Sequence, residues 1–91
     1  MKVRVKTNFD TTNALGGEEI ELEENGTIRN LLDTISRKIR FSIIDPRSGD
    51  VDFAVELKVN GQDYFVLPQH LDSRLAGGDE VEIVMMMFGG G

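Results

Sequence analysis

Apolar and charged residues alternate from the first positions of the chain. Val3 and Val5, with Phe9 in the same parity, fall on one face and Lys2, Arg4 and Lys6 on the other, the period of a strand with one wet face. After the turn-rich stretch Thr11-Thr12-Asn13-Ala14-Leu15-Gly16-Gly17, Ile20 and Leu22 alternate with Glu19, Glu21 and Glu23, which predicts a second half-buried strand. Basic side chains on the first strand and acidic ones on the second favour pairing the two as a hairpin. The period then changes. Thr27 can cap a helix in which Ile28, Leu31, Leu32, Ile35 and Ile39 recur at spacings of three and four. Arg37, Lys38 and Arg40 suit the negative pole of its dipole.

The stretch 41–53 has no clear period and reads as a connection. Within it, Ile43-Ile44 fits a short strand or a packed loop, and Asp45-Pro46-Arg47-Ser48-Gly49 has turn chemistry. Alternation returns at Val55-Glu56-Leu57-Lys58-Val59, followed by Asn60-Gly61, a dipeptide suited to the positive φ angles of a tight hairpin. The returning strand is predicted at 62–67. Leu71 and Leu75 flank a short helical turn, Gly77-Gly78-Asp79 makes a bend, and 80–87 forms a last strand with Val81, Ile83 and Met85 facing inward.

Two strands, a helix, two strands and a last strand assemble most economically as an α+β fold, a mixed sheet crossed by one main helix. In that assembly the first and last strands lie side by side and parallel at the centre. Composition narrows the reading. At 91 residues the chain has room for one domain, 1–91, ending in a flexible glycine tail at 89–91. Its 40% hydrophobic and 29% charged residues are ordinary for a globular protein. No cysteine is present, which excludes thiolate catalysis, thiolate metal sites and cargo held on a cysteine. A net charge of −6 repels a phosphate backbone, so nucleic acid is not an expected partner, and a partner with a basic docking surface is favoured. The apolar run near the end, 81–88, is interrupted by Glu82 and too short to span a bilayer. No membrane association and a cytoplasmic location are expected.

The informative feature is the carboxyl end, Phe88-Gly89-Gly90-Gly91, which directly follows the last predicted strand. A glycine run can thread a narrow protein channel in an extended conformation and lets a partner's backbone close around it. By themselves the glycines also fit a frayed terminus without function. Combined with the fold they carry more. The chain resembles the ubiquitin-like β-grasp sulfur carriers of molybdenum-cofactor and thiamine biosynthesis, especially the small subunit of molybdopterin synthase, and the related archaeal ubiquitin-like modifiers. The residues that carry this resemblance are Asn8-Phe9-Asp10, the helix start Thr27-Ile28 with Leu31-Leu32, Val59-Asn60-Gly61-Gln62, Leu75-Ala76-Gly77-Gly78-Asp79-Glu80-Val81 and the terminal Gly90-Gly91. Two departures stand out: Met85-Met86-Met87-Phe88 replaces the prolines and small residues common before the family's glycines, and three glycines end the chain where two are usual.

The resemblance implies a carrier that is no enzyme itself and needs no catalytic side chain or bound cofactor. An E1-like adenylating enzyme, using ATP and Mg²⁺, converts the Gly91 carboxylate to an acyl adenylate, and sulfur transfer then gives a thiocarboxylate. Gly89 and Gly90 thread into the partner. For molybdopterin or tungsten-pterin synthesis, the further partner implied is the molybdopterin synthase large subunit. An alternative is a protein modifier whose activated glycine forms an isopeptide bond with lysines of target proteins, since both routes begin with the same adenylate. A second alternative is a non-covalent binding module. Read from periodicity, Val84, Met86 and Phe88 face away from Val81, Ile83 and Met85, so they form a candidate partner surface unless 41–53 folds over them. Metal binding is not expected: His70 is a lone histidine, and the acidic stretch 45–52 lacks the spacing of a calcium loop. Gly16-Gly17 and Gly77-Gly78 lack the lysine and following helix of a phosphate loop.

Overall fold

The opening alternation becomes β1 (Lys2–Thr7), where Val3 and Val5 are fully buried and Lys2, Arg4 and Lys6 face solvent. The structure, a computed structural model, describes residues 1–8 and 18–86. Phe9 and Asp10 of the predicted first strand, the predicted turn 11–17 and the tail from Met87 onward lie outside the described residues. β2 (Glu19–Glu21) runs antiparallel to β1 in the register Lys2↔Glu21, Val3↔Ile20, Arg4↔Glu19. Lys2 and Arg4 thus stand opposite glutamates, while Val3 and Ile20 share the core face.

α1 (Ile28–Ile39) begins with a reciprocal cap: the Thr27 hydroxyl accepts from the Asn30 N–H at 3.2 Å, and the Thr27 N–H donates to Asn30 Oδ1 at 2.9 Å. Two of the four orphan donors of the first turn are satisfied this way. Ile28, Leu31, Leu32 and Ile35 form its buried stripe, and Arg37 and Lys38 occupy the last turn. The segment that follows is not a plain connection. Ile44 bridges Val51, the Asp52 N–H donates to the Ile43 carbonyl at 2.7 Å, and Gly49 turns at φ 74°, so the chain folds back on itself as a small hairpin. Its contacts run to the core side: the Ile43 N–H donates to Ser36 Oγ at 3.1 Å, the Gly49 carbonyl accepts from Arg29 at 3.1 Å, and Ile43 is fully buried.

β3 (Val55–Val59) follows, and Asn60 (φ 51°) and Gly61 (φ 83°) make the turn that the sequence predicts. The returning strand is far shorter than expected. β4 is only Gln62–Asp63, because the Asp63 carboxylate accepts from the Phe65 N–H at 2.9 Å and turns the chain into a 3₁₀ turn, Tyr64–Val66. A local side-chain bond here replaces the next rungs of the ladder. Tyr64 is buried as a result, and Phe65 and Val66 point outward. A second 3₁₀ turn, His70–Asp72, buries Leu71, and beside it Ile28 donates to Ser73 and Leu75 to Gly26, tying this region to the start of α1.

β5 is Glu80–Met85, ending short of the predicted Met87. It pairs parallel to β1 from Arg4↔Glu80 to Thr7↔Ile83 and antiparallel to β3 from Val55↔Met85 to Val59↔Val81, giving the order β2-β1-β5-β3-β4. Val3, Val5, Leu57, Val81 and Ile83 meet the buried stripe of α1 in a single core, and Met85 and Ile39 pack half-buried at its margin. Among the described residues no helix is long and apolar enough to cross a membrane.

Two outcomes follow from this packing. Ile83→Ala removes a side chain with no solvent exposure from the centre of the core, and is expected to lower unfolding free energy by about 2–5 kcal/mol in a denaturant titration. Tyr64 reports on alkaline pH: burial, reinforced by Asp50, whose carboxylate accepts from its hydroxyl at 3.3 Å, pushes its pKa up to about 12. Because the folded value lies above the unfolded one of 10.0, the native state holds the proton longer, and this contribution to stability is full below that pH and lost as pH rises toward 12. Since the chain has one tyrosine, ultraviolet titration of tyrosinate should show late ionisation in the folded protein and normal ionisation after denaturation.

Candidate functional site

The candidate site is the end of β5, where the chain leaves the sheet toward its glycines. Its surroundings follow from strand parity. On the face turned away from α1, the rows across β1, β5 and β3 are charged: Arg4 stands beside Glu80, Lys6 beside Glu82, and Lys58 beside Glu82. Lys6 lies 3.5 Å from Glu80 and Lys58 3.5 Å from Glu56, as solvent-exposed pairs that keep this face wet. Only toward the exit does the surface become apolar. Val84 is half-buried and borders a shallow depression of about 350 Å³ with Lys6, Thr7, Asn8, Glu18 and Glu82, and Met86 is 42% exposed. The 41–53 hairpin is anchored on the core side, through Arg29, Ser36 and Tyr64. Phe88, Gly89, Gly90 and Gly91, the remaining candidate residues, lie outside the described residues.

The exit itself is held from both sides. The Asn8 side chain donates from Nδ2 to the Met85 carbonyl at 2.7 Å and accepts from the Met85 N–H at Oδ1, 2.9 Å away. On the opposite side, the Met86 N–H donates to the Ala54 carbonyl at 2.7 Å. Backbone order therefore extends to the residue after the last strand pair. Phe53, adjacent to Ala54, is 82% exposed at the same end of the sheet, a larger apolar surface than the predicted Met86 offers. Sequence reasoning assigned no role to Phe53, because it closes a segment without period. In the sequence Asn8 stands out only within Asn8-Phe9-Asp10, among the residues that carry the resemblance; its parity with Lys6 is the signal that places it on the outer face.

What this arrangement offers chemically is presentation of a chain segment. Among the described residues no group of three or more His, Cys, Asp or Glu could hold a metal ion, and His70 packs its ring 4.9 Å from Phe65. A groove of about 620 Å³ lies between Val59, Leu67, Pro68 and Leu75, at the start of β5 and so remote from the exit. Two of its polar members, Asn60 and Asp79, serve the local turn: Asp79 accepts from Asn60 Nδ2 at 3.1 Å and from the Ala76 N–H at 2.8 Å, while the Glu80 N–H donates to Asn60 Oδ1 at 2.9 Å.

No protein-family model matches the chain, and no curated protein matches it in sequence. Solved structures do match in shape. SAMP1 from Haloferax volcanii superposes with a TM-score of 0.70 at 17% identity, over 99% of this chain and 100% of that one. A candidate molybdopterin converting factor subunit 1 from Pyrococcus furiosus matches with a TM-score of 0.64 at 26% identity, over 96% of this chain and 99% of that one. CysO from Mycobacterium tuberculosis gives 0.65 at 22% identity, over 93% and 99%. With its five-stranded mixed sheet crossed by one helix and its first and last strands parallel at the centre, the chain has the ubiquitin-like β-grasp fold.

Proposed function

We propose that the chain is a ubiquitin-like sulfur carrier that delivers the carboxylate of Gly91 to partner enzymes. The observation that carries this reading is the exit of β5: an ordered strand end, fixed through Met86, directly precedes a segment ending in three glycines on a β-grasp frame. A side-chain-free tail on a rigid root suits insertion into a narrow channel. In the activating step a carboxylate oxygen attacks the α-phosphorus of ATP and pyrophosphate leaves. A sulfur nucleophile at the sulfide level then attacks the acyl carbon and AMP leaves, giving the thiocarboxylate. An E1-like partner supplies ATP, Mg²⁺ and the phosphate contacts, since a carboxylate is a poor acyl donor until its oxygen departs as part of a stabilised anion. The carrier contributes position. Val84, Met86 and Phe88 are the partner-facing residues in this reading, where methionine's flexible side chain suits more than one partner.

Among pathways, the likeness to a candidate molybdopterin converting factor subunit favours molybdopterin or tungsten-pterin synthesis, with the synthase large subunit as second partner. The likeness to SAMP1, a small archaeal modifier protein, favours a second reading, in which a lysine amine of a target protein attacks the activated acyl carbon and an isopeptide bond forms.

Deleting Gly90 and Gly91 should abolish ATP:pyrophosphate exchange by the cognate E1-like enzyme while leaving the unfolding midpoint unchanged, because the core and the sheet of the described residues are assembled from 1–8 and 18–86. Undiminished exchange by the truncated chain overturns both readings. The two are separated by the intact mass of protein from native cells. Exchange of one oxygen for sulfur adds about 16 Da, whereas conjugation links the chain to far heavier targets.

A further inference from the structure

We propose that Asn8 is a positioning residue for the tail: its carboxamide, clasping the Met85 peptide, sets the direction in which the chain leaves the sheet and so lowers the cost of capture by an activating enzyme. This rests on the carrier reading above.

The backbone register of β1 and β5 ends with Thr7↔Ile83. Beyond that pair the Asn8 side chain makes two bonds to the Met85 backbone, Nδ2–H to the Met85 carbonyl at 2.7 Å and Oδ1 from the Met85 N–H at 2.9 Å. A carboxamide offers one donor edge and one acceptor in the spacing of a peptide group, so it can bind a strand as another peptide group does. Among the described residues, the hydrogen bonding on the β1 side thereby reaches Met85 through a side chain. Across β5 the Met86 N–H is held by Ala54. With these bonds on both flanks, the peptide joining Met85 to Met86 cannot swing out of the sheet plane, and the tail has a fixed root.

Asn8 is solvent-exposed, as is the pair of bonds it makes. Water can replace exposed hydrogen bonds at little net cost, so their contribution to global stability is small. Their effect on direction is larger. Releasing Met85 frees two further backbone torsions at the root of the tail, and a partner that captures the tail must immobilise them again. The residues after Met86 are five, 87–91, and fully extended they span at most about 17 Å. Over so short a reach, a change of angle at the root displaces the carboxylate by much of the length of the channel it must enter.

The test compares full-length wild type, Asn8→Ala, Asn8→Asp and the core variant Ile20→Val. Asn8→Asp keeps the acceptor for the Met85 N–H but sets a carboxylate oxygen against the Met85 carbonyl. Amide hydrogen exchange at Met85 and Met86 is read by NMR on the isolated protein, and KM and kcat for the carrier are read from ATP:pyrophosphate exchange with the cognate E1-like enzyme. Both Asn8 variants should speed exchange at Met85 and Met86. They should also raise KM about 5- to 30-fold, the factor corresponding to immobilising one more residue, with kcat unchanged. Ile20→Val should destabilise the fold and leave both KM and the Met85 amide as in wild type. Wild-type KM in Asn8→Ala overturns the positioning role, as does an equal rise in KM with Ile20→Val. If wild type itself is not adenylated, the carrier reading falls and the role assigned to Asn8 falls with it, an outcome distinct from an adenylated wild type indifferent to Asn8.

Discussion

The structure depends on one pairing, the parallel contact of β1 with β5. It joins the two ends of the chain, from Arg4↔Glu80 to Thr7↔Ile83, and sets the centre of the sheet on which every other element is hung. Closing so long a loop is entropically expensive. The apolar sides of both strands offset that cost, because Val3, Val5, Val81 and Ile83 are all fully buried beneath α1. β2 and β3 then add to opposite sides of this pair with the glutamate and lysine rows turned to solvent. A sheet with one dry and one wet face follows, and the helix needs to cover only the dry one.

The same pairing decides where the carboxyl end can go. β5 is the central strand, flanked by β1 from Glu80 to Ile83 and by β3 from Val81 to Met85, and its end finds partners on each side: Asn8 on the β1 side, Ala54 on the β3 side. An edge strand would hold its end on one side only. The outer face near this exit changes from ion pairs to Val84 and Met86, with Phe53 exposed nearby. Chemistry that requires a leaving group, a metal or a nucleophilic thiol is left to partners in the proposed function. In that proposal the task of the chain is to hold a narrow segment at a defined place, and the hydrogen bonds at Met85 and Met86 serve it.

Much of the fold was legible in residue order. The Val3/Val5 and Ile20 alternations, the α1 stripe from Ile28 to Ile35, the Thr27 cap and the Asn60-Gly61 turn are all local patterns, and local patterns survive because side-chain periodicity and backbone φ preference act over a few residues. Where the reading went astray, a competing local bond or a distant contact had the last word. Asp63 capped the Phe65 N–H and ended β4 early, although 62–67 is apolar enough for a strand. Between Ile43 and Asp52 the chain formed a hairpin pinned by Arg29, Ser36 and Tyr64, and nothing periodic in 41–53 announces those partners.

By itself, then, the sequence determined the helix, most of the strands with their wet and dry faces, and the absence of thiol chemistry, because each of these is set by residue type and spacing. Tertiary structure alone decided that Asn8 meets Met85, that Ala54 meets Met86 and that Phe53 stands beside the exit. These residues are separated by tens of positions in the chain, and whether two such side chains meet depends on sheet order and register, which exist only once the central pair has closed.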